Sequence, residues 1–231
     1  MGIMMDISVR LHPGNNGMRN SDKIDTKATA QIRDHYQRMS PKYDQRAEGS
    51  ERRYSPWRKD LWSKVRGPHI LEVGVGTGRN MPYYPAGQQI IAIDLTPGML
   101  TQAQKRASSL KLNVDLQVGD VQSLEFPDDS FDTAVATFVF CSVPKPVSGL
   151  LELKRVVKPH GQILLLEHTR SPNQLVGVLM DLLNPLSLLL MGDNINRRTV
   201  ENIQKAGLVI ERVTDLAMGG IFKQILVTVE K

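Results

Sequence analysis

The sequence predicts an α/β domain: a mostly parallel seven-stranded sheet with an antiparallel last strand and helices on both faces. Two observations carry that prediction. Short aliphatic runs, among them "HILEVGV" (69–75) and "QIIAID" (89–94), alternate with segments of helical length, the pattern of parallel strands joined by crossover helices. The first run then breaks into glycines at alternate positions, Gly74, Gly76 and Gly78, a turn that lets bare backbone approach a ligand. A chain of 231 residues suits one such domain with appendages and a sizeable core.

Each element has its own signal. Residues 1–26 are polar, rich in Gly and Asn and without periodicity, and read as a mobile tail. Residues 27–66 suit a helical cap of two helices broken near Ser40-Pro41, with Tyr36, Tyr43, Tyr54, Trp57 and Trp62 concentrated there. The α/β domain proper occupies 67–231. After the first strand, Arg79 to Tyr84 is a short helical or turn region, and "QIIAID" is the second strand. "TPGMLTQAQKRASSL" is a helix with Thr96 as expected N-cap and Pro97 at its first position. "VDLQVGD" is the third strand and Phe131 to Thr137 the fourth. "PVSGLLELKRVVKPHG" reads as a helix closed by its Pro-His-Gly turn. "QILLLEHT" is the fifth strand, followed by an apolar insertion at about 171–195. "NRRTVENIQKAGL" is a helix ending on Gly207, and "VIERVTDLA" and "FKQILVTVEK" form a last antiparallel pair.

Composition narrows the function classes. The single cysteine, Cys141, excludes an internal disulfide framework and a multi-cysteine metal site, so no metal is expected and a reducing cytoplasm is the simplest home. No signal-peptide pattern is present at the N-terminus. The stretch 175–191 is interrupted by Asp181, Asn184 and Pro185, too short and broken to read as a membrane span. The window 31–66 holds ten Lys/Arg against five Asp/Glu, as much excess charge as the +5 of the whole chain. That fits contact with anionic lipid headgroups at the inner membrane face, contact with nucleic-acid phosphates, or a solvated helix face.

The glycine turn alone does not choose a ligand. Asp94 ends the second strand, where a carboxylate can take both hydroxyls of a ribose, so a dinucleotide would also fit. The dinucleotide spacing G-x-G-x-x-G fails, however, because Arg79 stands in its third slot. The pattern is E-x-G-x-G-x-G from Glu72 to Gly78, joined by Asp94 and by Gly119-Asp120 at the end of the third strand.

With these motifs the chain resembles the Rossmann-like class I S-adenosylmethionine-dependent methyltransferases, on "LEVGVGTGRN", "AIDLTPGML", "GDVQSLEFPDDSFDTAVATFVFCSV", "LKRVVKPHGQILLLEH" and "AGLVIERV", in that order from about residue 31 onward. The resemblance implies roles. Gly74, Gly76 and Gly78 form the cofactor turn, and Glu72 helps bind the amino group through water. Asp94 holds the ribose hydroxyls, Leu95 and Met99 pack on the adenine, and Asp120 and the Val121 backbone meet its amino edge. Thr137 and Phe138 form the floor near the sulfonium, and Tyr43 closes from above or packs between helices. Methyl transfer leaves S-adenosylhomocysteine. It asks mainly for positioning and water exclusion, with a base only for a protonated acceptor. The candidate bases are Glu167 and His168, at the end of the fifth strand.

The acceptor stays open among three resemblances. The first half is similar to bacterial phospholipid N-methyltransferases that act on phosphatidylethanolamine. "EHTRSPN", "LNP" and "NINRRT" resemble the thiol-methylating proteins of animal membranes. The core is shared with ubiquinone and menaquinone C-methyltransferases. A lipid or other small apolar acceptor is expected, phosphatidylethanolamine foremost, with thiol S-methylation or quinone-precursor C-methylation as alternatives. The insertion then reads as a lid that touches a membrane, or as a core helix. Nucleic acid is not expected, since "TFVFCSVP" replaces the Asn/Asp-Pro-Pro-aromatic run of base-modifying relatives. A non-catalytic nucleotide-binding protein is the alternative from another class.

Overall fold

A computed structural model describes residues 26–231, so the tail expected over 1–26 lies, but for Thr26, outside the described residues. Two helices come first, α1 (Thr26–Met39) and α2 (Tyr43–Trp62), separated by a single 3-10 turn at Ser40–Lys42 where Pro41 interrupts the helical ladder. The sheet strands are β1 (His69–Val73), β2 (Gln89–Asp94), β3 (Asp115–Val118), β4 (Phe131–Thr137), β5 (Val157–His168), β6 (Val209–Ala217) and β7 (Phe222–Thr228). Their spatial order is β3-β2-β1-β4-β5-β7-β6, and among the described strands β7 alone runs opposite to the other six.

Alternation along the strands decides which helix covers which face. Leu71, Val73, Ala134, Ala136, Ile163 and Leu165 point to one side, where α4 (Pro146–Val156) and α6 (Thr199–Lys205) pack through Leu150, Leu153 and Ile203. Ile70, Val135, Leu164 and Leu166 point to the other, under Leu61 and Trp62 of α2. On that same side α3 (Pro97–Leu110) buries Leu100, Ala103 and Ala107 against Ala92 and Leu116. The strand order turns back between β1 and β4, which opens a cleft beyond their carboxyl ends.

Local departures from the expected elements have physical causes. Helix α4 stops at Val156 rather than running into the Pro-His-Gly turn, because Val157 already pairs with Phe131 and β5 begins there. Thr96 does precede α3 in extended conformation, yet its hydroxyl caps nothing; its backbone N–H donates to Asp94 Oδ1 at 2.9 Å. Helix α6 begins only at Thr199, since the residues before it form a turn. The apolar insertion is one helix, α5 (Gln174–Met191), capped by Asn173 Oδ1, which accepts from the Leu175 and Val176 N–H groups, and ended by Gly192 in the left-handed conformation. By length and composition it could cross a membrane.

Candidate functional site

The cleft at the sheet's turning point encloses about 950 Å³, part of it open to solvent. Its floor is the loop after β1. Gly74, Gly76 and Gly78 all take positive φ there, a conformation that costs a side-chain-bearing residue about 1–2 kcal/mol. Their reasons differ. A Cβ on Gly74 would fall 2.4 Å from Val139 Cγ2, and one on Gly78 would strike the Met81 sulfur. A Cβ on Gly76 would meet nothing within 4 Å, because that glycine faces the cleft. The loop is tied to β2 by Asp94, whose Oδ2 accepts from Gly76 N–H at 2.8 Å. Burial pushes the Asp94 carboxyl above its usual range against the pull of the Thr96 and Gly76 N–H donors.

The walls come from several elements. Leu95, Met99, Val121 and Val143 supply apolar surface between Asp94 and Asp120. Asp120 accepts from the backbone N–H of Gln122 at 2.9 Å and from its side-chain amide at 3.1 and 3.0 Å. Gln122 also donates to Thr29 in α1 and accepts from the Lys145 N–H, so it sews the third-strand corner to the cap. Thr137 and Phe138 end β4 in the cleft, and Tyr36 and Tyr43 face it from the helical cap. Burial raises both phenols above their usual range, which keeps them neutral. Arg58 is buried, donates to Glu51 and to Asn80 Oδ1, and lies 5.5 Å from the centre of the Phe138 ring.

The cap is latched to the glycine loop through Asp44, beside Tyr43. Its carboxylate accepts from Thr77 Oγ1 at 2.6 Å and from Arg79 Nε at 3.0 Å, and it also pairs with Arg106 of α3. Arg79, the residue that spoils the dinucleotide spacing, is thus a clasp between loop and cap.

The cleft brings together Gly74, Gly76, Asp94, Leu95, Met99, Asp120, Val121, Thr137, Phe138 and Tyr43 from the sequence reading. Four expected site residues stand elsewhere. Gly78 is held for the turn itself. Glu72 lies in the sheet behind the wall, 1% exposed, with its carboxylate taken by Asn80 Nδ2 at 2.6 Å and by the Tyr84 hydroxyl. Burial drives its pKa up to about 7, against those two hydrogen bonds. Glu167 is wholly buried, and its Oε1 accepts from the Val139 and Phe140 N–H groups at 2.9 and 3.0 Å. Its Oε2 is buried without a partner, and the side chain is absent from the cleft lining, so the structure places Glu167 behind the loop after β4, which it shapes through Oε1. His168 sits one shell outside the cleft, its ring stacked beside Phe138 with centroids 6.4 Å apart. Burial works against its charge, but Cys141 and Asp193 beside it hold its pKa well above the usual imidazole range. Asn80, Arg58, Gln122 and Tyr36 were not singled out from the sequence. Only the position of Asn80, directly after the glycine turn, could have flagged one of them.

These residues fit a nucleoside that carries a cationic centre. One carboxylate ends β2 for vicinal hydroxyls, another ends β3 for an amino edge, and aliphatic side chains lie between them. Gly76 offers the space a Cβ would fill, and neutral aromatic faces suit a cation.

Residues 71–165 match a family model described as a methyltransferase domain. Among curated proteins, the chain is 36% identical over 106 residues to a phosphatidylethanolamine N-methyltransferase of Cereibacter sphaeroides, covering 45% of this chain and 52% of that one. It is 34% identical over 134 residues to a demethylmenaquinone methyltransferase of Renibacterium salmoninarum, covering 56% and 55%. It is 30% identical over 153 residues to the thiol S-methyltransferase TMT1B of Rattus norvegicus, covering 64% and 63%. The chain therefore spans a little over half the length of the relatives it matches. Among solved structures, a S-adenosylmethionine-dependent methyltransferase of Thermotoga maritima, described as a possible histamine N-methyltransferase, superposes with a TM-score of 0.67 at 19% identity, covering 86% of this chain and all of that one. A second, from Aquifex aeolicus, gives a TM-score of 0.58 at 20% identity, covering 76% and 88%.

Proposed function

We propose that this chain, which carries a class I methyltransferase domain with S-adenosylmethionine as methyl donor, methylates the amino headgroup of a phosphatidylethanolamine-type lipid at a membrane surface. The observation that carries the acceptor is the orientation of α5. Its polar side chains turn toward the protein: Asp181 pairs with Arg170 and Asn196, Asn184 meets Asn194, and Ser187 donates to Asp193. Its leucines turn outward, with Leu175, Leu182 and Leu189 83%, 74% and 76% exposed. Helices on soluble proteins do the reverse. Each leucine left in water forgoes about 1.5–3 kcal/mol of burial.

Hydrocarbon is the cover that best suits this face. The fan is aliphatic, without the Trp, Tyr and Arg anchors that concentrate binding energy in protein interfaces. The C-terminal end of α5 abuts the cap, since Gly192 packs against the His35 ring. The cap carries the basic window, with Arg33, Arg38, Lys42, Arg52 and Arg53 exposed and able to meet anionic headgroups. A short chain of contacts links the helix to the cleft: Ser187 to Asp193, Asp193 to His168, and His168 to Phe138 in the wall.

S-adenosylmethionine supplies a methyl group already activated on a sulfonium. The chain's own residues then have three tasks. Asp94, Asp120 and the glycine loop bind the nucleoside. Thr137, Phe138 and Tyr43 define where an acceptor can approach. The cap, latched through Asp44, excludes water. The work belongs at the cytoplasmic side of a membrane.

Methyl transfer to an apolar thiol is the second reading, supported by the 153-residue likeness to the rat thiol S-methyltransferase. The test uses purified protein, methyl-labelled S-adenosylmethionine, vesicles containing phosphatidylethanolamine and a panel of small thiols. Label in the lipid extract is the expected result. Label confined to thioethers would replace the first reading with the second.

A further inference from the structure

Outside the cleft, three side chains from three separate segments converge. Cys141 follows β4, His168 ends β5 and Asp193 follows α5. One donor atom from each, the sulfur, an imidazole nitrogen and a carboxylate oxygen, all lie within 4.8 Å of one another. His168 Nε2 is 3.3 Å from Asp193 Oδ2. Cys141 is buried, and the other two side chains are only 15% and 20% exposed. A tetrahedral zinc ion, with bonds of about 2.0 Å to oxygen and nitrogen and about 2.3 Å to sulfur, sets its donors roughly 3.3–3.6 Å apart. The three side chains thus need to close by little to share one ion.

The surroundings hold these donors in place. Asp193 uses Oδ1 to accept from Ser187 at 2.9 Å, which leaves Oδ2 turned toward His168. The Cys141 backbone is fixed by its carbonyl, which accepts from Asn194 N–H, Asn194 Nδ2 and Arg197 at 2.9, 3.0 and 3.0 Å. Those donors belong to the segment that carries Asp193, so the two segments are stapled together where the side chains meet. Outer hydrogen bonds that orient the inner donors are what metal sites require.

We propose that Cys141, His168 and Asp193 form a binding site for a divalent transition-metal ion, zinc by donor set, with a fourth position left open. Thiolate, imidazole and carboxylate together suit zinc better than the hard ions magnesium and calcium, which take oxygen. Three protein ligands and one free position match the catalytic rather than the structural class of zinc site. The thiol proton and the His168 Nε2 proton both leave to solvent as the sulfur–metal and nitrogen–metal bonds form, so binding weakens at low pH. The site lies one residue beyond the cleft wall, because Ser142 and Phe138 line the cleft, the first with its hydroxyl 3.7 Å from the Cys141 sulfur and the second with its ring stacked beside His168. The single cysteine excludes a multi-cysteine site, and a mixed site spread over residues 141, 168 and 193 has no local spacing to reveal it.

The test is a titration of the full-length, chelator-treated protein with Co²⁺, read by absorption. The expected result is one equivalent bound, with visible bands of tetrahedral cobalt and a thiolate-to-cobalt charge-transfer band, both removed by added Zn²⁺. Cys141→Ser should lose the charge-transfer band, and Asp193→Asn should weaken cobalt binding at least tenfold. Affinity for S-adenosylhomocysteine, expected to be unchanged in both variants, checks that each is folded. No charge-transfer band in the folded protein, or a band that persists in Cys141→Ser, would overturn the assignment. These readouts do not depend on any methyl transfer, so they stand or fall apart from the proposed function.

Discussion

Glu72→Gln gives a prediction whose size follows from the structure. Glu72 lies in β1 with its side chain shut in the sheet, and its pKa rises from 4.5 to about 7. Desolvation is the main cause; the hydrogen bonds from Tyr84 and Asn80 recover only part of it. The folded state therefore binds the proton more tightly than the unfolded chain. Below about pH 4.5 the carboxyl is neutral in both states and costs nothing. Between about pH 4.5 and 7 the unfolded chain ionises first, so stability falls as pH rises; above about 7 the loss is complete. At about 1.36 kcal/mol per unit, the full loss is roughly 3 kcal/mol, of which about 2.5 falls between pH 5 and pH 8. Glu72→Gln removes this titration and keeps the shape. The assay is urea unfolding followed by the fluorescence of Trp57 and Trp62, at fixed ionic strength, across that pH range. The wild-type curve should lose about 2 to 3 kcal/mol more than the variant between pH 5 and pH 8. Parallel curves would refute the reasoning, because every other titrating group is common to both proteins.

Other predictions concern the cleft and its latch. Asp94→Ala should weaken S-adenosylhomocysteine binding at least 100-fold in calorimetry, about 3 kcal/mol, since it removes a half-buried charged acceptor that lines the cleft and frees the Gly76 N–H. Asp44→Ala unties Thr77, Arg79 and Arg106 at once. Because the Asp44 side chain is 42% exposed, a moderate effect is expected: a several-fold faster release of S-adenosylhomocysteine in stopped flow, with global unfolding shifted by about 1 kcal/mol or less. Gly74→Ala forces a Cβ into Val139 at positive φ and should lower stability by more than 1 kcal/mol in the same urea assay; Gly76→Ala meets no neighbour but shares the positive φ, so it should cost about 1 kcal/mol as well and in addition weaken S-adenosylhomocysteine binding, because that glycine faces the cleft.

How much of this was legible in the sequence depended on how local each signal was. Strands β1 to β5 announce themselves as aliphatic runs, and the glycine turn, Asp94 and Asp120 sit where strand ends put them, so position along the chain fixed their place in the cleft. Glu167 misled for the same reason. Its place at a strand end is right, but the sequence does not show that the Val139 and Phe140 N–H groups will claim it. Glu72 reads as a ligand-binding acid until the fold sets Asn80 and Tyr84 on it. Arg58 and Gln122 reach the cleft from elements whose docking no local pattern encodes. The apolar run of α5 was visible, but its direction was not. Composition gives the same leucines whether they face a core or a membrane, and only the inward bonds of Asp181, Asn184 and Ser187 distinguish the two.

On the proposed reading the clasp at Asp44 and the outward leucines of α5 serve different ligands: the clasp holds the glycine loop that binds the nucleoside, and the leucines bring the chain to the membrane that holds the acceptor. The cap closes the nucleoside's side through ion pairs that water can loosen. The α5 face, whose end meets the cap at His35, presents aliphatic surface. On this account damage to the clasp and damage to the leucine face should be separable in binding experiments.

The most direct test of that account is labelled methyl transfer to phosphatidylethanolamine presented in two forms, in vesicles and as a short-chain monomer, by the wild-type protein and by Leu182→Glu/Leu186→Glu. The account predicts that the variant binds S-adenosylhomocysteine normally and methylates the monomer, yet loses transfer to vesicles by about 100-fold, the roughly 3 kcal/mol or more carried by two leucines. Equal transfer to vesicles by both proteins would contradict it and return α5 to the role of an uncovered helix with no part in reaching the acceptor.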